Sequence, residues 1–235
     1  MNKPSILVVE DDVPVRCLIT TTLKTHGYKY LTASNGETAI MMTTSHNPDI
    51  MLLDLGLPDI DGIEVIRSVR TWSNLPIIVL SARSEDSDKI EALDNGADDY
   101  LTKPFLMQEL LLRMQHILRR TYRDVISRNR PGILRLGDRT VHLDDAAVVL
   151  ADGTRASLTA TELGLLRKLA ENRGHVVTYD ALCASVWGED YYGYENSLSV
   201  HIRHLREKLE PEPSHPKILL TQRGIGYRLA KEATE

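Results

Sequence analysis

Short unbroken apolar runs and amphipathic stretches alternate along the first half of the chain. Ile6–Val9, Ile50–Leu53 and Ile77–Leu80 are continuous apolar runs of strand length, as expected of strands covered on both faces. Tyr30–Ala33 and Asp99–Thr102 read as two weaker strands. Helical spacing fills the gaps at Val15–Thr25, Glu37–Ser45, Gly62–Thr71, Asp86–Asn95 and Leu106–Tyr122. Asn35 suits an N-cap, Gly27 and Gly96 suit helix ends, and Pro76 precedes a strand. Five strands alternating with five helices predict an α/β domain, a parallel sheet wound on both faces with right-handed crossovers.

The pattern changes after residue 120. Residues 121–131 (TYRDVISRNRP) are polar, basic and non-periodic, and read as a linker between a domain at 1–120 and another at 132–235. Ile133–Leu150 alternates in short strand-like pieces, with turn signals at Gly137-Asp138 and Asp152-Gly153. A capping box, Thr159 to Glu162, opens the first of three helices ahead of Leu163, Leu166 and Leu169. The second helix starts at Thr178 and runs to about Trp187; the third spans Asn196–Leu209. A hairpin over Leu219–Leu229, turning at Arg223-Gly224, closes the chain. Sheet, three helices and terminal hairpin predict an α+β winged helix-turn-helix.

A chain of 235 residues has room for two such cores, and 42% apolar with 26% charged residues excludes collagen-like and disordered classes. No apolar run approaches the roughly 18 residues of a membrane span, so no membrane partner is expected. The N-terminus turns acidic after a four-residue apolar stretch, unlike a signal peptide. Cys17 and Cys183 fall in different halves and read as small buried helix residues, not a disulfide framework. A cytoplasmic protein is expected. The net charge of −5 is uneven: residues 1–122 carry 12 Lys and Arg against 17 Asp and Glu, whereas 196–231 is locally basic. An acidic first domain and a basic tail suggest different partners, the second a polyanion.

Candidate chemistry gathers at strand ends. Glu10, Asp11 and Asp12 follow the first strand, Asp54 follows the third, Ser81 ends the fourth and Lys103 ends the fifth. In a flavodoxin-like strand order, strands one and three flank the switch point, so these carboxylates converge in one crevice. Carboxylates, a hydroxyl and an ammonium suit phosphoryl chemistry with a hard cation such as Mg²⁺. One carboxylate then serves as nucleophile while Lys103 and Ser81 stabilise phosphoryl charge. One acid after a strand is ordinarily a solvated loop residue; three chemical types spread over four strand ends are a different matter.

VVEDD, LLDLGLPDIDG, VLSAR and GADDYLTKPF resemble the receiver domain of bacterial two-component response regulators. The resemblance implies a flavodoxin-like (βα)5 receiver phosphorylated on Asp54 by a sensor histidine kinase. It implies Mg²⁺ held by Glu10, Asp11, Asp54 and the Gly56 carbonyl, with Asp12 a further candidate. Ser81 is the implied reorienting hydroxyl, Tyr100 the switch aromatic and Lys103 the essential lysine, before a cis Lys103–Pro104 bond. In the second half, SVHIRHLREKLE and TQRGIGYRL are similar to the DNA-binding domain of the OmpR/PhoB subfamily, and the receiver motifs look most like those of potassium-operon regulators. A DNA-binding transcriptional regulator, not an enzyme, is therefore expected. Two alternatives stand beside it: an Asp-nucleophile phosphohydrolase, many of which carry a second Asp where Gly56 stands, and an atypical regulator that binds DNA without phosphorylation.

The third effector helix repeats Leu198, Ile202, Leu205 and Leu209 on one face, which must pack on the core. At 100° per residue the other face presents Asn196, Val200, Arg203, His204 and Glu207, with Arg206 on the flank. Arg reads guanine, Asn adenine and Val the thymine methyl. Ser197 joins this candidate promoter-DNA surface, as do Arg223 at the hairpin tip and, by resemblance, Thr221, Tyr179 and Trp187. Trp187 suits core packing equally well. His204 stands where relatives often carry a base-contacting Arg, whose bidentate contact a neutral imidazole cannot make. The stretch 187–195 (WGEDYYGYE) falls where relatives touch RNA polymerase; its tyrosines suit that contact or loop packing. Resemblance also implies a homodimer through the fourth helix, fifth strand and fifth helix, pairing Lys89–Glu109, Asp99–Arg113 and Asp98–Arg120.

Overall fold

The computed structural model describes residues 3–126, 132–188 and 195–231, without the side chains of 120–126, 195 and 196. The chain divides into two compact units, Met1–Leu118 and Arg119–Glu235.

In the first unit, β1 (Ser5–Val9), β2 (Lys29–Ala33), β3 (Ile50–Leu53), β4 (Ile77–Ser81) and β5 (Asp99–Thr102) form one parallel sheet in the order β2-β1-β3-β4-β5. Helices α1 (Val13–Thr25), α2 (Gly36–His46), α3 (Gly62–Arg70) and α4 (Asp86–Asp94) make the connections, and α5 (Met107–Ile126) follows β5. Ile6 pairs with Tyr30 on one side and Ile50 on the other, so the order reverses between β1 and β3. A crevice is expected there, beyond the strand ends. The apolar runs of β1, β3 and β4 are buried along almost their whole length because helices cover both faces.

Short polar side chains fix the helix starts. Asp12 Oδ1 accepts from the Val15 N–H at 3.1 Å, Asn35 from Thr38 N–H at 2.9 Å, and Asp61 from Ile63 N–H at 2.9 Å. Gly62 begins α3 against the end of β3. A Cβ there would lie 2.6 Å from the Asp54 carbonyl oxygen and 2.7 Å from Leu55 Cα, so only glycine permits the approach. Helix α5 runs to Ile126, so the first residues of the expected linker 121–131 are helical, and 127–131 lie outside the described residues. Cys17 is exposed, contrary to expectation, whereas Cys183 is buried.

The second unit opens with a four-stranded antiparallel meander, β6 (Ile133–Leu136), β7 (Arg139–His142), β8 (Ala147–Val149) and β9 (Arg155–Ser157). Then follow α6 (Ala160–Glu171), β10 (Val177–Thr178), α7 (Tyr179–Trp187), α8 (Glu195–Leu209), β11 (Leu219–Gln222) and β12 (Gly226–Leu229). The capping box of α6 is complete: Glu162 N–H donates to Thr159 Oγ1 at 3.3 Å, and Thr159 N–H to Glu162 Oε2 at 2.9 Å. Strand β10, too short to read from periodicity, adds to the hairpin in the order β10-β12-β11. A Cβ on Gly226 would meet the Val177 carbonyl oxygen at 2.0 Å, so the pairing requires glycine. Leucines of α6 and α8 pack with Leu136, Val148, Leu219 and Leu229 in the core. Just after α8, the buried Glu210 carboxylate accepts from the N–H groups of Lys217, Ile218 and Leu219 at 3.0, 2.7 and 2.7 Å, fixing the entry to β11.

Candidate phosphoryl site and DNA-reading surface

The ends of β1, β3 and β5 bring Glu10, Asp54 and Lys103 together. Lys103 Nζ donates to Glu10 Oε2 at 2.7 Å and to Asp54 Oδ2 at 2.8 Å. Carboxylate oxygens of Glu10, Asp11 and Asp54 all lie within 4.8 Å of one another. Burial pushes the Glu10 carboxyl above the ordinary range, against the pull of Lys103. Burial also works against the Lys103 charge, but the hydrogen bonds it donates to Asp54 and Glu10 outweigh it and hold the ammonium above its usual value. The second oxygen, Glu10 Oε1, is buried without a hydrogen-bond partner among the described residues. A buried anionic oxygen without a donor, beside two further carboxylates, fits a hard cation. Gly56 follows in the exposed loop, its N–H donating to Asp54 Oδ1 at 3.2 Å. Asp12, by contrast, is occupied as the cap of α1.

Ser81, at the end of β4, is buried, and its Oγ accepts from Arg83 N–H at 3.2 Å. Tyr100 lies inward on β5, and its hydroxyl donates to the Arg83 carbonyl at 2.7 Å. Burial holds that phenol above its ordinary value. Lys103–Pro104 is cis. Spacing alone did not single out Arg83 or Arg16. The Arg16 guanidinium reaches back from α1 to the carbonyls of Glu10 and Asp11, the latter at 3.0 Å.

On α8 the buried leucine face is present, but the opposite face is narrower than the 100° spacing predicts. Val200 is 6% exposed and His204 9%, so neither is a free surface residue. His204 faces α6, its Nδ1 3.7 Å from Glu162 Oε1, which α8 also reaches through Lys208 Nζ at 2.5 Å from Oε2. Arg203 and Glu207 do lie exposed, with Arg203 Nε 3.8 Å from Glu207 Oε1, and Ser197 is half-buried. Arg206 is on the flank as expected, yet its guanidinium is engaged within the domain. It donates to the Leu219 carbonyl at 3.1 and 3.0 Å and to Thr221 Oγ1 at 2.6 Å, with Cζ 5.8 Å from the Tyr227 ring centre. Trp187 is 4% exposed in the core cluster, so of its two readings core packing is the one its burial favours over a phosphate contact. Tyr179 packs edge-on against Tyr227 at 5.5 Å. Arg223 is exposed at the hairpin turn, before Gly224 at φ +73°. The side chain of Asn196 and residues 189–194 of the expected polymerase-contact loop lie outside the described residues.

Residues 6–115 match the response regulator receiver domain, and residues 153–229 match the C-terminal domain of transcriptional regulatory proteins. The chain is similar to the transcriptional regulatory protein KdpE of Mycobacterium tuberculosis (strain H37Rv), 43% identical over 95% of this chain and 97% of that protein. The KDP operon transcriptional regulatory protein KdpE of Escherichia coli (strain K12) is 42% identical over 95% and 98%. This chain belongs to the response regulators. It is a DNA-binding transcriptional regulator of a two-component system, of the OmpR/PhoB type. Among solved structures, a mutant of RitR shares 25% identity with a TM-score of 0.77, over 96% of this chain and 98% of that one. The Thermotoga maritima OmpR/PhoB homolog DrrB shares 29% with a TM-score of 0.52, over 98% and 100%.

The regulator's expected dimer charges are already partly engaged within one receiver. Asp98 is fully buried, accepting from Arg70 Nη2 at 3.0 Å and Ile77 N–H at 3.1 Å, so it is not the surface charge the sequence suggests. Asp99 is buried too, held by Arg113 Nη1 at 3.0 Å, while Arg113 Nε reaches Glu109 at 3.1 Å. Lys89 is half-exposed, 3.9 Å from Asp86. The Arg120 side chain lies outside the described residues. Among the described residues, no helix is long and apolar enough to cross a membrane.

Proposed function

We propose that this regulator takes a phosphoryl group on Asp54 from the phosphohistidine of a sensor kinase, and that phosphorylation promotes receiver pairing and promoter binding. The supporting observation is the Asp54 carboxylate, 2.8 Å from Lys103 Nζ and beside Glu10 Oε1, which has no hydrogen-bond partner among the described residues. An Asp54 oxygen attacks phosphorus in line, the P–N bond breaks, and the kinase imidazole leaves with the bonding pair. Lys103 balances charge on the acceptor and on the incoming phosphoryl oxygens, and Ser81 offers its hydroxyl to one of them. Glu10, Asp11, Asp54 and the Gly56 carbonyl would hold Mg²⁺, which supplies further neutralisation of phosphoryl charge when bound. Promoter DNA is read by α8, with Arg203 at base edges and Arg223 on the backbone or in the minor groove. Such a partner calls for a cytoplasmic protein.

Asp54→Ala is expected to abolish labelling by a small phosphodonor in the presence of Mg²⁺, measured by intact mass. Undiminished labelling of that variant overturns the assignment. Rapid hydrolysis of varied phosphate esters by the wild type would instead favour an enzyme.

A further inference from the structure

Arg83 belongs to no part of the acidic pocket, yet three of its hydrogen bonds converge on the groups around it. Its N–H donates to Ser81 Oγ at 3.2 Å and its carbonyl accepts from the Tyr100 hydroxyl at 2.7 Å. Its Nη2 donates to Asp61 Oδ2 at 2.5 Å. Asp61 uses its other oxygen to cap α3, the helix that Gly62 presses against the Asp54 carbonyl. One ion pair therefore ties the connection after β4, which carries the Ser81 and Tyr100 contacts, to the connection after β3, which carries Asp54.

We propose that Arg83, anchored by Asp61, is a positioning residue for phosphoryl acceptance: it holds Tyr100 inward and Ser81 oriented in the arrangement that receives the phosphoryl group. The proposal rests on Asp54 being the acceptor. Both contacts are made by backbone atoms of Arg83, which truncation of the side chain leaves in place, so Arg83→Ala removes the anchor that positions them and nothing else. Both side chains are partly exposed, 38% for Arg83 and 40% for Asp61. Pairs of that kind shift an equilibrium by at most about five-fold and are screened by salt.

The test uses the full chain with two readouts. One is the Tyr100 resonance in ¹³C-tyrosine NMR, assigned with Tyr100→Phe; the other is affinity for beryllofluoride, a phosphoryl mimic, with Mg²⁺. Arg83→Ala and Asp61→Asn, the latter retaining an oxygen for the helix cap, should each move the Tyr100 resonance toward that of an exposed tyrosine. Each should weaken beryllofluoride binding about two- to five-fold. The double variant should be no weaker than the single ones, Arg83→Lys should recover most of the loss, and molar salt should bring wild type to the variants' level. A Tyr100 resonance unmoved in both single variants overturns the proposal, whatever the affinities do. If wild type binds no beryllofluoride, the acceptor role of Asp54 fails and the proposed link to phosphorylation falls with it, even if the Tyr100 resonance moves.

Discussion

Arg203 and Arg206 are three residues apart on α8 and differ in where their donors go. Arg203 is exposed, with Glu207 Oε1 3.8 Å from its Nε, whereas Arg206 is committed to the Leu219 carbonyl and Thr221 hydroxyl. Helical spacing places both correctly around the axis, but it carries no information about a carbonyl that arrives from a hairpin thirteen residues later. Arg203→Ala should therefore relax base preference at one or two positions of each half-site, a discrimination of about 1–3 kcal/mol. Arg206→Ala should lower the effector domain's unfolding midpoint while leaving the salt slope of DNA binding unchanged. A binding panel on mutated sites at two salt concentrations, with urea unfolding alongside, separates these outcomes. A slope reduced by about one unit in Arg206→Ala would return that residue to the phosphates. The same comparison explains His204: a leucine stripe identifies the face that must be buried, and α8 buries His204 as well because α6 brings Glu162 against it.

At the scale of elements, most starts and stops were legible because caps are local. Asn35, Thr159 and Thr178 each cap the helix that their sequence position suggests. Caps supplied from a distance were not legible. Asp59, twenty-three residues after Gly36, accepts from the N–H groups of Gly36 at 2.8 Å and Glu37 at 2.9 Å, at the N-terminus of α2. The hydrogen bonds from Glu37 and Gly36 hold its carboxyl below the usual range. A depressed folded value means the stabilisation is complete above the unfolded pKa of about 3.9 and is lost as pH falls through the folded value. Asp59→Asn should accordingly lower the receiver's thermal midpoint at pH 5–7, with the gap to wild type closing below about pH 4. A gap of constant size across that range contradicts the charge-based cap. The acidic cluster with Lys103 was legible for the opposite reason to this cap: its residues sit at strand ends, and strand ends can be read from apolar runs. Strand β10, at two residues, has no period to read.

At the scale of the whole molecule, the expected pairing of two receivers must use charges that one receiver does not already consume. Arg113 is a poor probe, since Arg113→Glu leaves Asp99 buried beside a like charge, and burial already pushes that carboxyl upward. Lys89 is only loosely held, so Lys89→Glu should preserve Asp54 labelling and the unfolding midpoint while weakening phosphodonor-dependent dimers in sedimentation. Dimers as tight as wild type would remove α4 from the interface. The second unit carries a mechanical consequence of its own in the bond between β10 and β12. A load applied at Arg223 cannot be absorbed by bending of the hairpin alone, because its return strand pairs at Gly226 and Tyr227 with Thr178 and Val177, the two residues that lead directly into α7. A displacement of the hairpin tip is therefore expected to carry the first turn of α7 with it, since Tyr179 N–H also donates to the Ile225 carbonyl at 3.0 Å.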